Sequence, residues 1–86
     1  MIEVKLSNGF ACQITDETID DYELFEDLVT IEEYPNRLPD VIKRFIGKDK
    51  YNELKEANRV DGRVSTAAMS NSLRDIFHAV REGKKN

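Results

Sequence analysis

The first fourteen residues, MIEVKLSNGFACQI, constrain this chain more than any other stretch. Ile2, Val4 and Leu6 alternate with Glu3 and Lys5, and Phe10, Cys12 and Ile14 alternate with Ala11 and Gln13, the period-two pattern of two half-buried strands. The turn between them decides which face each set takes. A two-residue Asn8-Gly9 loop pairs Leu6 with Ala11 and sends the two apolar sets to opposite faces. A three-residue Ser7-Asn8-Gly9 loop pairs Leu6 with Phe10, Val4 with Cys12 and Ile2 with Ile14, which buries all six together. The second is the expected register, with Gly9 at positive φ.

One apolar hairpin face requires a partner, and the rest of the chain supplies helical stripes. Over about 17–33, Ile19, Tyr22, Phe25 and Val29 lie on one side, with Leu24, Leu28 and Ile31 widening the stripe. Asp20, Glu23, Glu26 and Asp27 fill the opposite arc, and Thr15 or Asp16 caps the start. Pro35 ends this helix. Pro39 suits the first turn of a second over about 38–46, whose apolar face is Leu38, Val41, Ile42, Phe45 and Ile46, with Gly47 at its end. A third, more exposed helix over about 48–58 turns Tyr51, Leu54 and Ala57 inward. The last, over about 65–82, is capped by Ser65 and stapled by Val64 against Met69, with Met69, Leu73, Ile76, Phe77 and Val80 inward. The middle positions of these stripes name Phe25, Leu28, Phe45, Leu73 and Phe77 as the centre of the core.

The stretch joining the last two helices, RVDGRVSTAAMSNSLRDIF, invites comparison with a helix-turn-helix. A recognition helix presents Arg, Lys, Asn or Gln near its start. This one opens Ser65-Thr66-Ala67-Ala68-Met69, with no cation before Arg74, in a chain of pI about 5.0. The joint is read as structural, a glycine turn at Gly62, and no nucleic acid partner is expected.

Eighty-six residues make one domain, with 83–86 as a frayed tail. At about 0.05–0.15 kcal/mol per residue, its stability is on the order of 4–13 kcal/mol. The fold class is therefore α+β: an N-terminal hairpin over about 2–6 and 10–14 packed on a bundle of four helices. Apolar runs of at most two or three residues predict neither a membrane span nor a signal peptide. A single cysteine, Cys12, suits a reducing, cytoplasmic setting and reads as an inert core thiol. His78 falls opposite the apolar stripe of its helix, so it is expected to face solvent and holds no metal by itself. The dense carboxylates lack the oxygen spacing and glycine bend of a cation loop. No phosphate loop, catalytic pair or metal-ligand pattern is present in the sequence. No enzyme activity, cofactor or metal is expected.

Charge is unevenly divided. Residues 1–33 hold ten acids against one base, a net −9, while 34–86 hold twelve bases against seven acids, a net +5. Such a dipolar surface favours steered encounters with an oppositely charged partner or with another copy. Weak, salt-sensitive self-association or client binding through Asp20, Glu23 and Asp27 is expected.

The order of elements, and the runs VKLSNGF, DYELFEDL, LPDVIKRFIGKDKYNELKE and DGRVSTAAMSNSLRDIF, give a further reading. In these the chain resembles the small tail assembly chaperones of long-tailed bacteriophages and prophages of Gram-positive bacteria. The resemblance extends over nearly the whole chain, and none of its runs is a catalytic signature. It implies a non-enzymatic role in the host cytoplasm: binding the tape measure protein, keeping it soluble, helping to recruit major tail protein subunits, and staying out of the mature virion. It carries over no fixed functional residues. The readings that compete with it are a small regulator that binds DNA or a host protein, and a structural tail or connector component.

Many members of that family also make a longer form by a late ribosomal frameshift. The terminal Lys84-Lys85-Asn86 is compatible with this, since AAA-AAA-AAC encodes it and contains A-AAA-AAC, on which both tRNAs re-pair after slipping back one base. The hypothesis is that these 86 residues are the shorter of two products. Sequencing the gene checks it: slippery codons and an open −1 frame past the stop are expected, and an AAG codon at Lys84 or Lys85 excludes it.

Overall fold

Asn8 and Gly9 close the N-terminal hairpin as the three-residue loop requires. The Leu6 N–H donates to the Phe10 carbonyl at 2.9 Å, and the Gly9 N–H donates to the Leu6 carbonyl at 3.1 Å. The Asn8 side chain accepts from the Phe10 N–H at 2.9 Å, and Gly9 sits at φ +92°. In this computed structural model, which describes residues 1–31 and 33–83, strand β1 (Ile2–Lys5) pairs antiparallel with β2 (Ala11–Ile14). Ile2 stands opposite Ile14 and Val4 opposite Cys12, the expected register. Val4, Phe10, Cys12 and Ile14 are buried, and Ile2 and Leu6 pack half-buried at the margin.

The helix expected over 17–33 is instead two helices, α1 (Asp16–Ile19) and α2 (Tyr22–Thr30). Local capping is the reason. Thr15 Oγ1 accepts from the Thr18 N–H at 3.2 Å to start α1, and Asp21 Oδ1 accepts from the Leu24 N–H at 3.1 Å to start α2. Asp21, with extended backbone, breaks the run and restarts it in a new phase. Thr30 then returns its hydroxyl to the Glu26 and Asp27 carbonyls as α2 ends.

Beyond a 3₁₀ turn at Pro35–Arg37, the remaining helices fall close to their expected bounds: α3 (Leu38–Ile46), α4 (Lys48–Ala57) and α5 (Thr66–Gly83). Of the tail expected over 83–86, Gly83 closes α5, and Lys84, Lys85 and Asn86 lie outside the described residues, as does Glu32. Ser65 caps α5 by accepting from the Ala68 N–H at 3.2 Å. The joint before it is more ordered than a turn. Strands β3 (Arg59–Val60) and β4 (Arg63–Val64) pair across Asp61 and Gly62, whose φ of +52° and +83° are both positive. Two such residues make the two-residue turn that matches strand twist, and Asp-Gly is a preferred sequence for it.

The layers follow from these pieces. α3 is the central helix, packing on α2, α4 and β2, while α5 covers β1. The most deeply buried side chains are Val4, Ile14, Leu24, Val41, Ile42, Leu54 and Ile76. Of the five residues expected at the centre, Phe45 and Leu73 are buried, Leu28 and Phe77 are half-buried, and Phe25 is exposed. Cys12 is buried, and burial pushes its thiol pKa up, as an inert core thiol requires. His78 faces solvent. No described helix is long and apolar enough to cross a membrane.

Asn58 joins three parts of this framework. It caps the C-terminus of α4 and is buried. Its Oδ1 accepts from Asn8 Nδ2 at 2.8 Å, and its Nδ2 donates to Ser72 Oγ at 2.9 Å and lies 3.3 Å from Met69 Sδ. Its carbonyl accepts from the Ser65 N–H at 3.3 Å. The hairpin loop, the end of α4 and the start of α5 are thereby tied through one amide.

The hairpin supplies a direct test. A Cβ at Gly9 would meet nothing within 4 Å, so any penalty there is dihedral and not steric. Gly9→Val is expected to destabilise by about 1–3 kcal/mol, whereas Gly9→Asn, which tolerates left-handed backbone, changes stability much less. Urea unfolding of both variants checks it, and equal midpoints would contradict the observed turn.

Candidate docking groove

The phase of α2 is set by a carboxylate. Leu24, Asp27, Leu28 and Ile31 recur at helical spacing and form its inner face, so Asp27 is carried inward at 8% exposure. Arg44 of α3 meets it with Nη1 2.7 Å from Oδ2, and Arg37 of the 3₁₀ turn lies against Oδ1. Arg44 also reaches Asp21, the α2 cap, with Nη2 3.1 Å from Oδ2. One guanidinium thus holds the cap and the middle of the helix against α3. The Asp21 carboxyl is held below its ordinary pKa, chiefly by the bond from the Leu24 N–H and further by Arg44. A depressed carboxylate contributes stability above about pH 4 that is lost as pH falls through its folded pKa.

This orientation corrects two expectations. Asp27 was expected on the solvated arc but is buried and doubly ion-paired, so it is not on a free surface. Tyr22, Phe25 and Val29, expected to face the core, are 73%, 50% and 63% exposed. Both follow from the restart at Asp21: the stripe shared by Ile19 with Tyr22, Phe25 and Val29 existed only if the helix was continuous. Asp20, at the break, and Glu23, on α2, are exposed as expected.

The outward residues form a ridge, with the Tyr22 and Phe25 rings 6.4 Å apart and tilted by 33°. Beside it runs a groove. α2 packs on α3 and α5 on β1, which leaves between α2 and α5 a concavity of about 400 Å³ lined by Leu28, Ile31, Leu38, Leu73 and Phe77. A smaller recess of about 50 Å³ continues from Leu28 and Phe77 beneath the start of α2 to Leu24 and Phe45. Arg74 stands at the edge of the groove, and the Arg81 guanidinium lies 5.8 Å from the centre of the Phe77 ring. Among the described residues no cluster of three or more His, Cys, Asp and Glu is gathered as metal ligands. The arrangement is suited to holding an apolar side-chain row, with hydrogen-bonding and charged groups at its rim.

Sequence reasoning missed Arg37, Arg44 and the groove. A signal for them was present: Leu24, Leu28 and Ile31 form a complete stripe with Asp27 inside it, and a carboxylate in an apolar stripe calls for a cation.

Stability separates the two orientations of α2. Leu24→Ala is expected to cost about 2–5 kcal/mol, and Phe25→Ala only about 1 kcal/mol because half of its surface is already in water. Thermal or urea unfolding of both variants checks this, and a larger loss from Phe25→Ala would restore the other phase. The chain matches no family model, no curated protein and no solved structure.

Proposed function

We propose that this protein is a non-enzymatic assembly chaperone of a long-tailed phage or prophage, acting in the host cytoplasm and absent from the finished virion. It binds the tape measure protein, keeps it soluble, and gives way to major tail protein subunits. The observation that carries this reading is the exposed ridge of Tyr22, Phe25 and Val29 beside the α2–α5 groove. Contiguous apolar surface that a small domain leaves in water marks an interaction site. A groove between two helices accepts the apolar face of a third, the usual mode for helical clients. The four sequence runs that resemble tail assembly chaperones supply the identity of that client.

Reversible release fits the same surface. A ridge of three side chains and one groove on a chain of 86 residues offer a limited contact, and small interfaces belong to transient encounters. Asp20 and Glu23 lie exposed near the ridge and add a charge-dependent component, screened over about 8 Å at physiological ionic strength.

Co-expression of the tagged chain with the tape measure protein tests the reading. Co-purification and a soluble tape measure protein are expected, both lost with Phe25→Asp. A tape measure protein that stays insoluble or unbound beside the wild-type chain would refute it. Retention on heparin at physiological salt would instead favour a nucleic-acid-binding regulator, and presence in purified virions a structural tail component.

A further inference from the structure

The ridge and the groove lie side by side on one face, and their rims differ in charge. On α2 the ridge residues Tyr22, Phe25 and Val29 fall at i, i+3 and i+7, the spacing of a helix-packing seam. Glu26 follows Tyr22 by one turn and Phe25 by one residue, so with Glu23 it edges the ridge on the side away from the groove. Across the groove, Arg74, Phe77 and Arg81 are spaced by three and four along α5 and share one edge of that helix. One border is therefore acidic and the other basic. Among the described residues Glu23, Glu26 and Arg74 form no ion pair within the chain.

We propose that this face is self-complementary and pairs two copies of the chain about a two-fold axis. The ridge of each copy sits in the groove of the other, and the acidic border of each α2 meets the Arg74 and Arg81 border of the other copy's α5. A two-fold contact requires one patch to carry both halves of every interaction. This patch does: a protruding apolar row, an adjacent groove to receive it, and borders of opposite sign on either side. A foreign partner would have to bring both signs in the right order, whereas a second copy has them already. Pairing removes Tyr22, Phe25 and Val29 from water together and gives Glu23, Glu26 and Arg74 the ion-pair partners that they lack among the described residues. Pairing covers the same ridge and groove that the tape measure protein is proposed to use, so client and second copy compete for one face, and the client would displace the second copy.

Sedimentation equilibrium of the purified chain tests it. A concentration-dependent monomer–dimer equilibrium is expected, weakening as salt rises. Phe25→Glu and Val29→Glu, both at exposed positions, are each expected to raise the dissociation constant at least about ten-fold, equivalent to about 1.4 kcal/mol, with the circular dichroism spectrum unchanged. The charge pair gives the sharper result. Glu26→Arg and Arg74→Glu each place like charges across the axis twice, so each alone is expected to be monomeric. Their equimolar mixture places opposite charges across it twice, and is expected to dimerise as the wild-type chain does. A wild-type chain that remains monomeric at about 1 mM, where a contact worth about 4 kcal/mol is half-formed, would overturn the proposal. So would a dimer indifferent to both glutamate variants, or a mixture no more associated than its components. Sedimentation of the wild-type chain alone and co-purification with the tape measure protein are separate measurements, so either reading can fail while the other stands.

Discussion

A buried carboxylate decides how this molecule presents itself. Asp27 lies on the inner face of α2, and a carboxylate taken from water without a partner costs several kcal/mol. Arg44 and Arg37 supply the partners, and both keep part of their side-chain surface in solvent. Half-solvated pairs of this kind add little net stability, typically about 0–1 kcal/mol. Their effect is on orientation: α2 can turn Asp27 inward only where both guanidinium groups reach it. Once that phase is chosen, Leu24, Leu28 and Ile31 face the core and Tyr22, Phe25 and Val29 face water. The ridge is the outer face of that phase, set by the cap at Asp21, by burial of Leu24, Leu28 and Ile31, and by the ion pairs that let Asp27 turn inward with them.

The opposite side of the domain is held by neutral hydrogen bonds. Asn58 spans the hairpin loop through Asn8 and the start of α5 through Ser72 and the Ser65 backbone, all away from the groove. An amide buried with its partners in place is worth about 1 kcal/mol for each bond, but leaving those partners unsatisfied costs more than making them gains. In so small a domain such a junction matters, because total stability is only on the order of 10 kcal/mol. It fixes where α4 ends and α5 begins, and so where α5 runs relative to the hairpin. The edge of the groove formed by Leu73, Arg74 and Phe77 depends on that placement.

The two sides divide the labour. The hairpin, α3 and the inner face of α5 make a closed core whose apolar residues are buried almost completely. The outer face of α2 and the flank of α5 leave apolar surface in water, which a monomer of this size does not require for folding. Tyr51, between Lys43 at 5.1 Å and Lys55 at 5.0 Å, shows the contrasting treatment of an aromatic at the surface, its ring covered by aliphatic stems and cations of its own chain. Tyr22 and Phe25, with rings 6.4 Å apart, stay 73% and 50% exposed. That difference in treatment is what directs attention to α2 as a place for a partner.

Much of this was legible in the residues. The register of the hairpin followed from requiring Ile2, Val4, Leu6, Phe10, Cys12 and Ile14 to share a face, and the bounds of α3, α4 and α5 followed from Pro39, Gly47 and Ser65, because these are local rules that the chain satisfies within a few residues. The Asp-Gly turn between β3 and β4 is equally local, since that dipeptide favours a two-residue hairpin turn and not an open loop. The face of α2 was a different kind of question. Residues 17–33 carry two overlapping apolar stripes, one through Tyr22, Phe25 and Val29 and one through Leu24, Leu28 and Ile31, and helical spacing alone weighs them equally. The choice between them rests on Arg37 and Arg44, ten and seventeen residues beyond Asp27, and on the cap at Asp21 that breaks the helix. The sequence by itself determined the hairpin face and the bounds of α3, α4 and α5; only the structure showed the 17–33 helix divided in two and decided which side of α2 meets water, because that side depends on charges brought together by folding.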